Sequence, residues 1–162
     1  MSARQVRKTV RALLEDPTVG LSQAVAALAL TEGVDDITTD FNFVRGSISG
    51  KMLPSGAPNI SVDARNWRPE QKVVKPNRDA RVVVDIRAEF VSADAQQLED
   101  QRDLTAIAVV KVLDGLREYS DTHGGTVVDV DDPYNIDIGT FGGVVTTEGI
   151  LVSATILERS LT

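Results

Sequence analysis

Residues 81–91, Arg81-Val82-Val83-Val84-Asp85-Ile86-Arg87-Ala88-Glu89-Phe90-Val91, place Val84, Ile86, Ala88 and Phe90 at every second position, with Asp85, Arg87 and Glu89 between them. Side chains alternate across a strand, so this spacing predicts one apolar face turned to a core and one charged face turned to water. Three residues on, Asp94 can cap a helix, with Gln97 at the capping-box position. That helix is expected to run to about Tyr119 as the main core helix, carrying Leu98, Leu104, Ile107, Ala108, Val112, Leu113 and Leu116. Gly124-Gly125 stop it, and Thr126–Val130 and Ile150–Leu157 read as two further strands.

Upstream, Val6, Val10 and Leu13 recur at helical intervals while Arg4, Arg7, Lys8 and Arg11 take other positions, so 2–14 reads as a basic amphipathic helix ended by Asp16-Pro17. A short, apolar and buried helix is expected over 21–30, with Ser22 helping to cap it and Gly33 just past its end. From 34 to 81 the pattern is broken by Pro54, Pro58, Pro69, Pro76, Gly46, Gly50 and Gly56. Phe41, Phe43, Ile48 and Ile60-Ser61-Val62 suggest short strands there, and the length of the segment suggests a projecting arm or hairpin. The fold class expected is α/β (α+β): one domain over 1–162, a two-layer sandwich with a mixed β-sheet packed on a long helix, with N-terminal helices and an extended arm or hairpin over 34–81.

Composition narrows function. A length of 162 residues suits one core, and 42% hydrophobic with 25% charged residues is a globular balance. No stretch reaches the roughly 20 apolar residues that span a bilayer, and no apolar signal region follows the basic start, so a soluble protein made in the cytoplasm is expected. The absence of cysteine removes disulfides and thiolate chemistry. A net charge of −7 disfavours a DNA-gripping surface, and seven aromatic residues disfavour a base-stacking platform. The charge is split: residues 1–81 hold 12 basic and 9 acidic side chains, residues 82–162 hold 5 and 15. Such a split allows copies to attract one another, or is simply a solvated acidic face.

The catalytic and ligand motifs fail at defining positions. Gly46–Met52 resembles a phosphate loop, but its second glycine comes one residue early and Met52 replaces the hydroxyl that holds magnesium. Asp129–Asn135 has the density of a calcium loop, yet Pro133, Tyr134 and Thr140 stand where a ligand, a glycine and a bidentate glutamate belong, so an acidic turn is expected. His123 is the only histidine and sits in a helix-terminal turn, where a C-terminal capping role is expected in place of a metal site or a triad. Glu99 and Asp103 lie one helical turn apart on the expected wet face. Trp67, between Arg65 and Arg68, fits an interface anchor or a local core plug equally.

The basic N-terminal helix, the strand ending Glu89-Phe90-Val91-Ser92-Ala93-Asp94, the helix carrying Leu113-Asp114-Gly115-Leu116-Arg117, the passage Gly125-Thr126-Val127-Val128 and the closing strand over 150–159 together resemble the tail-terminator and related neck-ring (head–tail joining) proteins of long-tailed bacteriophages. The resemblance covers nearly the whole chain and rests on element order and size, since that family carries no catalytic signature. It implies a non-enzymatic virion protein of the tail or neck, assembled in the host cytoplasm, with no cofactor or metal. Its copies would form a sixfold ring that caps the tail tube protein and offers a surface to head-connector or neck proteins, while DNA passes through without specific binding. On this reading Arg65, Trp67, Arg68, Lys72, Lys75, Arg78 and Arg81 are candidates for contacts between subunits. Asp129, Asp131, Asp132 and Asp137 are candidates for an acidic channel lining that repels DNA. Another neck ring, a head-closure or connector subunit, has the same composition. An unrelated small enzyme would need a deep pocket joining His123 to the carboxylates of 129–137.

Overall fold

The computed structural model describes residues 2–44, 58–69, 79–90, 94–125, 127–141 and 147–159. Its elements run α1 (Ser2–Glu15), α2 (Leu21–Glu32), β1 (Asn42–Phe43), β2 (Asn59–Pro69), β3 (Asp79–Phe90), α3 (Ala95–Asp114), α4 (Leu116–Thr122), β4 (Val127–Phe141) and β5 (Thr147–Arg159). The strands form one mixed sheet in the order β1-β2-β3-β5-β4, parallel between β1 and β2 and antiparallel elsewhere. This is an α+β fold with helices layered on a mixed sheet, as the sequence predicts.

The alternation in β3 sets the layers. Val82, Val84, Ile86, Ala88 and Phe90 are buried together with Ile60 and Val62 of β2 and Ile150, Val152, Ala154 and Ile156 of β5. In register these residues share one sheet face, and they join Val6, Val10, Leu13 and Leu14 of α1 and Leu98, Val109, Val112 and Leu113 of α3 in one core. Burying each large aliphatic side chain contributes about 1.5–3 kcal/mol, so this shared face is the main source of stability. The other face of β3 is less wet than its charges suggest: Asp85, Arg87 and Glu89 are half-buried.

Asp94 caps α3 as expected, its Oδ1 accepting from Gln96 N at 3.0 Å and Gln97 N at 3.4 Å. The helix does not reach Tyr119 in one piece. Gly115 breaks it, ending α3 and starting α4. A helix interior tolerates glycine poorly, and the break lets α4 pack on β4 while α3 packs on β5. Ile107, expected in the core, is 49% exposed, and Leu30 of α2 is 85% exposed. The apolar stretch of α2 therefore buries only one side, through Leu21, Val25, Leu28 and Ala29.

Ser22 does not cap α2. Gly20 holds the N-cap position without a side-chain bond, and Ser22 Oγ instead donates to Thr39 O at 2.7 Å. The α1–α2 corner is tight enough that a Cβ on Gly20 would overlap the carbonyl oxygens of Asp16 and Leu14. At the far end, Gly33 adopts φ 68°, the left-handed conformation that favours glycine after a helix.

Two expectations about strands change. Of the segment expected as an arm, residues 59–69 and 79–81 belong to β2 and β3, paired within the sheet. Phe41 precedes β1, and Ile48 lies outside the described residues, as does the phosphate-loop lookalike at 46–52. The strand expected over 126–130 continues to Phe141, so the acidic stretch is sheet and not a turn. Two irregularities accommodate it. Between Asp131↔Thr155 and Asn135↔Ser153, β4 advances four residues against two on β5, and a one-residue shift falls between Val127 and Asp129. Pro133 lies inside the larger bulge on an edge strand, where a missing ladder donor costs least.

Candidate functional site

Two surfaces carry the chain's polar chemistry. The first is an open groove of about 720 Å³ in the helical layer, floored by Leu13, Ala24, Val112 and Gly115 and rimmed by Asp16, Lys111, Glu118, Tyr119 and His123. Asp16 follows α1, and its Oδ1 accepts from Thr18 N at 2.8 Å and Val19 N at 3.1 Å. These backbone bonds, helped by the nearby His123, hold its carboxyl below the usual range. His123 caps α4 as expected: its N–H donates to Tyr119 O, Nδ1 lies 2.9 Å from the same oxygen, and its ring stacks on Tyr119 at 4.0 Å. Partial burial, followed by the Asp16 charge, pushes the Tyr119 hydroxyl up. Among the described residues no hydrogen bond joins His123 to Asp16 or to a hydroxyl, and Asp129 and Asp137 do not line the groove. Among the described residues, His123 is therefore not brought together with Asp129 or Asp137.

The second surface is the sheet face turned away from the helices, together with the two sheet edges. Across it, register places Asp63 opposite Asp85 opposite Ser153 opposite Asn135, and Ser61 opposite Arg87 opposite Leu151 opposite Asp137. Two carboxylates facing each other across β2 and β3 repel, and Asp85 is relieved by an ion pair with Arg65 and by Ser153 Oγ donating at 2.7 Å. Asp85 in turn raises the Arg65 pKa, chiefly by accepting a hydrogen bond from Arg65 Nε. Half-buried Val83, Leu151 and Leu157 lie on this face outside the main core. Half-burial also pushes the Glu89 carboxyl up, against the opposing effect of Arg87.

Of the cations expected between subunits, Arg65 is engaged within its own chain, by Asp85. Arg81 is exposed, and Trp67 and Arg68 fall in β2 at its irregular pairing with β3. Lys72, Lys75 and Arg78 lie outside the described residues. Of the acids expected to line a channel, Asp129, Asp131, Asp132 and Asp137 all fall in β4. Asp129 and Asp137 are exposed, in register with Leu157 and Leu151 on the outer face, and Asp131 pairs with Thr155. On the expected wet face of α3, Glu99 and Asp103 are both exposed, and Asp103 accepts from Arg102 Nε at 3.0 Å.

The sequence reading missed how the basic helix meets the sheet. Pro58 O, just before β2, and Ile60 O accept from Asn42 N and Val44 N, so these carbonyls point toward β1. By the period of two, Val62 O points the same way, beyond the end of β1, and Arg11 Nη2 donates to it at 3.4 Å. The alternation of cations on α1 was visible, but not this target. Compared with known proteins, the sequence matches no protein-family model and no curated protein.

Proposed function

We propose that this chain is a non-enzymatic structural subunit that works as a ring of copies, in the manner of the tail-terminator proteins of long-tailed phages, capping a tail tube and joining it to a head connector. The observation that carries the reading is the outer sheet face. No described helix packs on it, yet it holds half-buried Val83, Leu151 and Leu157 among Asp63, Asp85, Arg87 and Glu89. An apolar strip within a charged, rigid sheet suits contact with protein better than turnover of a small molecule. The order of elements supports the same reading, since the basic helix and the alternating strand that suggested the resemblance form, and the core helix forms as far as Gly115.

The test is electron microscopy and sedimentation of the purified chain, alone and with tail tube protein. Closed rings, or rings that appear on tube ends and stop tube growth, are expected. A species that stays monomeric at high concentration in both conditions overturns the reading. Binding to portal or connector complexes but not to tubes would reassign the ring to another position in the neck.

A further inference from the structure

Resting on the ring reading, we infer that copies of this chain join head to tail, the basic stripe of α1 along the β2 edge of one copy meeting the acidic β4 edge of the next. On a helix of 3.6 residues per turn, Arg4, Arg7, Lys8 and Arg11 fall within an arc of about 100°. Arg11 reaches the Val62 carbonyl, which fixes that stripe to the β2 side of the sheet. Arg4 and Lys8 are exposed, and none of Arg4, Arg7 and Lys8 forms an ion pair with a described residue. Glu15 is the one carboxylate in α1.

The opposite edge of the sheet is β4, where Asp129 and Asp137 are exposed on the outer face. Three inter-strand spacings separate β2 from β4, roughly 14 Å. That exceeds the Debye length of about 8 Å at physiological salt, so the two charged edges cannot neutralise each other within one molecule. A second copy can bring them into contact. Because they lie on opposite sides of one sheet, two copies cannot make both contacts at once, and association is heterologous, closing into a ring or continuing as a filament.

Backbone pairing between edges is obstructed on both sides. Arg11 occupies the open Val62 carbonyl at one edge, and the irregularities around 127–129 and 131–135 interrupt the ladder at the other. Side-chain charge is then what selects the partner face. This assigns Asp129 and Asp137 to the contact between copies and not to a free channel wall.

The experiment uses two reversed chains, R4E/R7E/K8E and D129K/D137K, with folding checked by circular dichroism and association read by sedimentation velocity at low and high salt. Each reversed chain alone should associate about tenfold more weakly than wild type or worse, since exposed pairs contribute up to about 1 kcal/mol each. An equimolar mixture should recover association, because the acidic α1 of one variant faces the lysines of the other. The milder R4Q/K8Q chain, altered only at exposed positions, should show a smaller loss that disappears at high salt. Wild-type association of either reversed chain, no recovery on mixing, or an unchanged R4Q/K8Q chain overturns the inference while leaving the ring reading intact. If the wild-type chain never associates, either alone or with tail tube protein, both fail together.

Discussion

Gln101 and Thr38, 63 residues apart, hold each other as two strand residues would: Gln101 Oε1 accepts from Thr38 N at 2.8 Å, and Gln101 Nε2 donates to Thr38 O at 3.0 Å. The buried amide also donates to Thr105 Oγ1 at 3.3 Å, so one α3 side chain pins the segment between α2 and β1. Gln101→Ala leaves both backbone groups of Thr38 without these partners in a half-buried place. A loss of about 1–3 kcal/mol is expected, measured as a lower urea midpoint with an unchanged m-value.

A second buried polar group sits where α4 hands over to β4. Ser120 is fully buried, and its Oγ accepts from Val127 N at 3.1 Å. Ser120→Ala removes this acceptor from the Val127 amide at the start of the edge strand. The expected cost is again about 1–3 kcal/mol, and hydrogen exchange should quicken at Val127 before it quickens in β3.

The cap on α3 is a milder case. Replacing Asp94 with alanine removes the acceptor for two amides at an exposed helix start, with an expected loss of about 0.5–2 kcal/mol. Asp94→Asn keeps an acceptor and should recover most of it. Thermal melts of the two variants check the order.

Glu89 gives a pH dependence of defined sign. Its folded pKa is raised, chiefly by burial, so the ionised form costs stability above the folded pKa, and the cost disappears as pH falls below the unfolded value. Glu89→Gln should therefore raise the melting temperature at pH 7 and have little effect near pH 3. A variant equally stabilised at both pH values would place the gain in packing instead of charge.

The elements that were legible in the sequence are those whose signal is local. The period of two in 84–90 gives the buried face of β3, and Asp94 and Gly33 mark helix ends because a cap needs only neighbouring amides. The break at Gly115 was hidden by Leu113 and Leu116, which keep helical spacing across it. The strand nature of 131–137 was hidden because Asp, Pro and Asn favour turns, and only pairing with β5 shows that bulges absorb them. Exposure of Ile107 and Leu30 depends on which side α2 and α3 turn to each other, which periodicity does not fix. The surfaces followed the same division. Charge asymmetry was visible, but the Arg65–Asp85 pair, the Arg11–Val62 bond and the meeting of Asp16 with Tyr119 and His123 join residues distant in sequence.

The crowded corner at Gly20 constrains descent as well as geometry. No side chain can be added there without moving the backbone oxygens of Asp16 and Leu14, so a lineage that keeps the α1–α2 corner must keep this glycine. Arg4, Gln5 and Lys8, exposed on α1, face no such steric demand and can change together with whatever they touch. Distant relatives of this chain would then share the spacing from Asp16 to Gly20 long after the surface of the first helix had diverged.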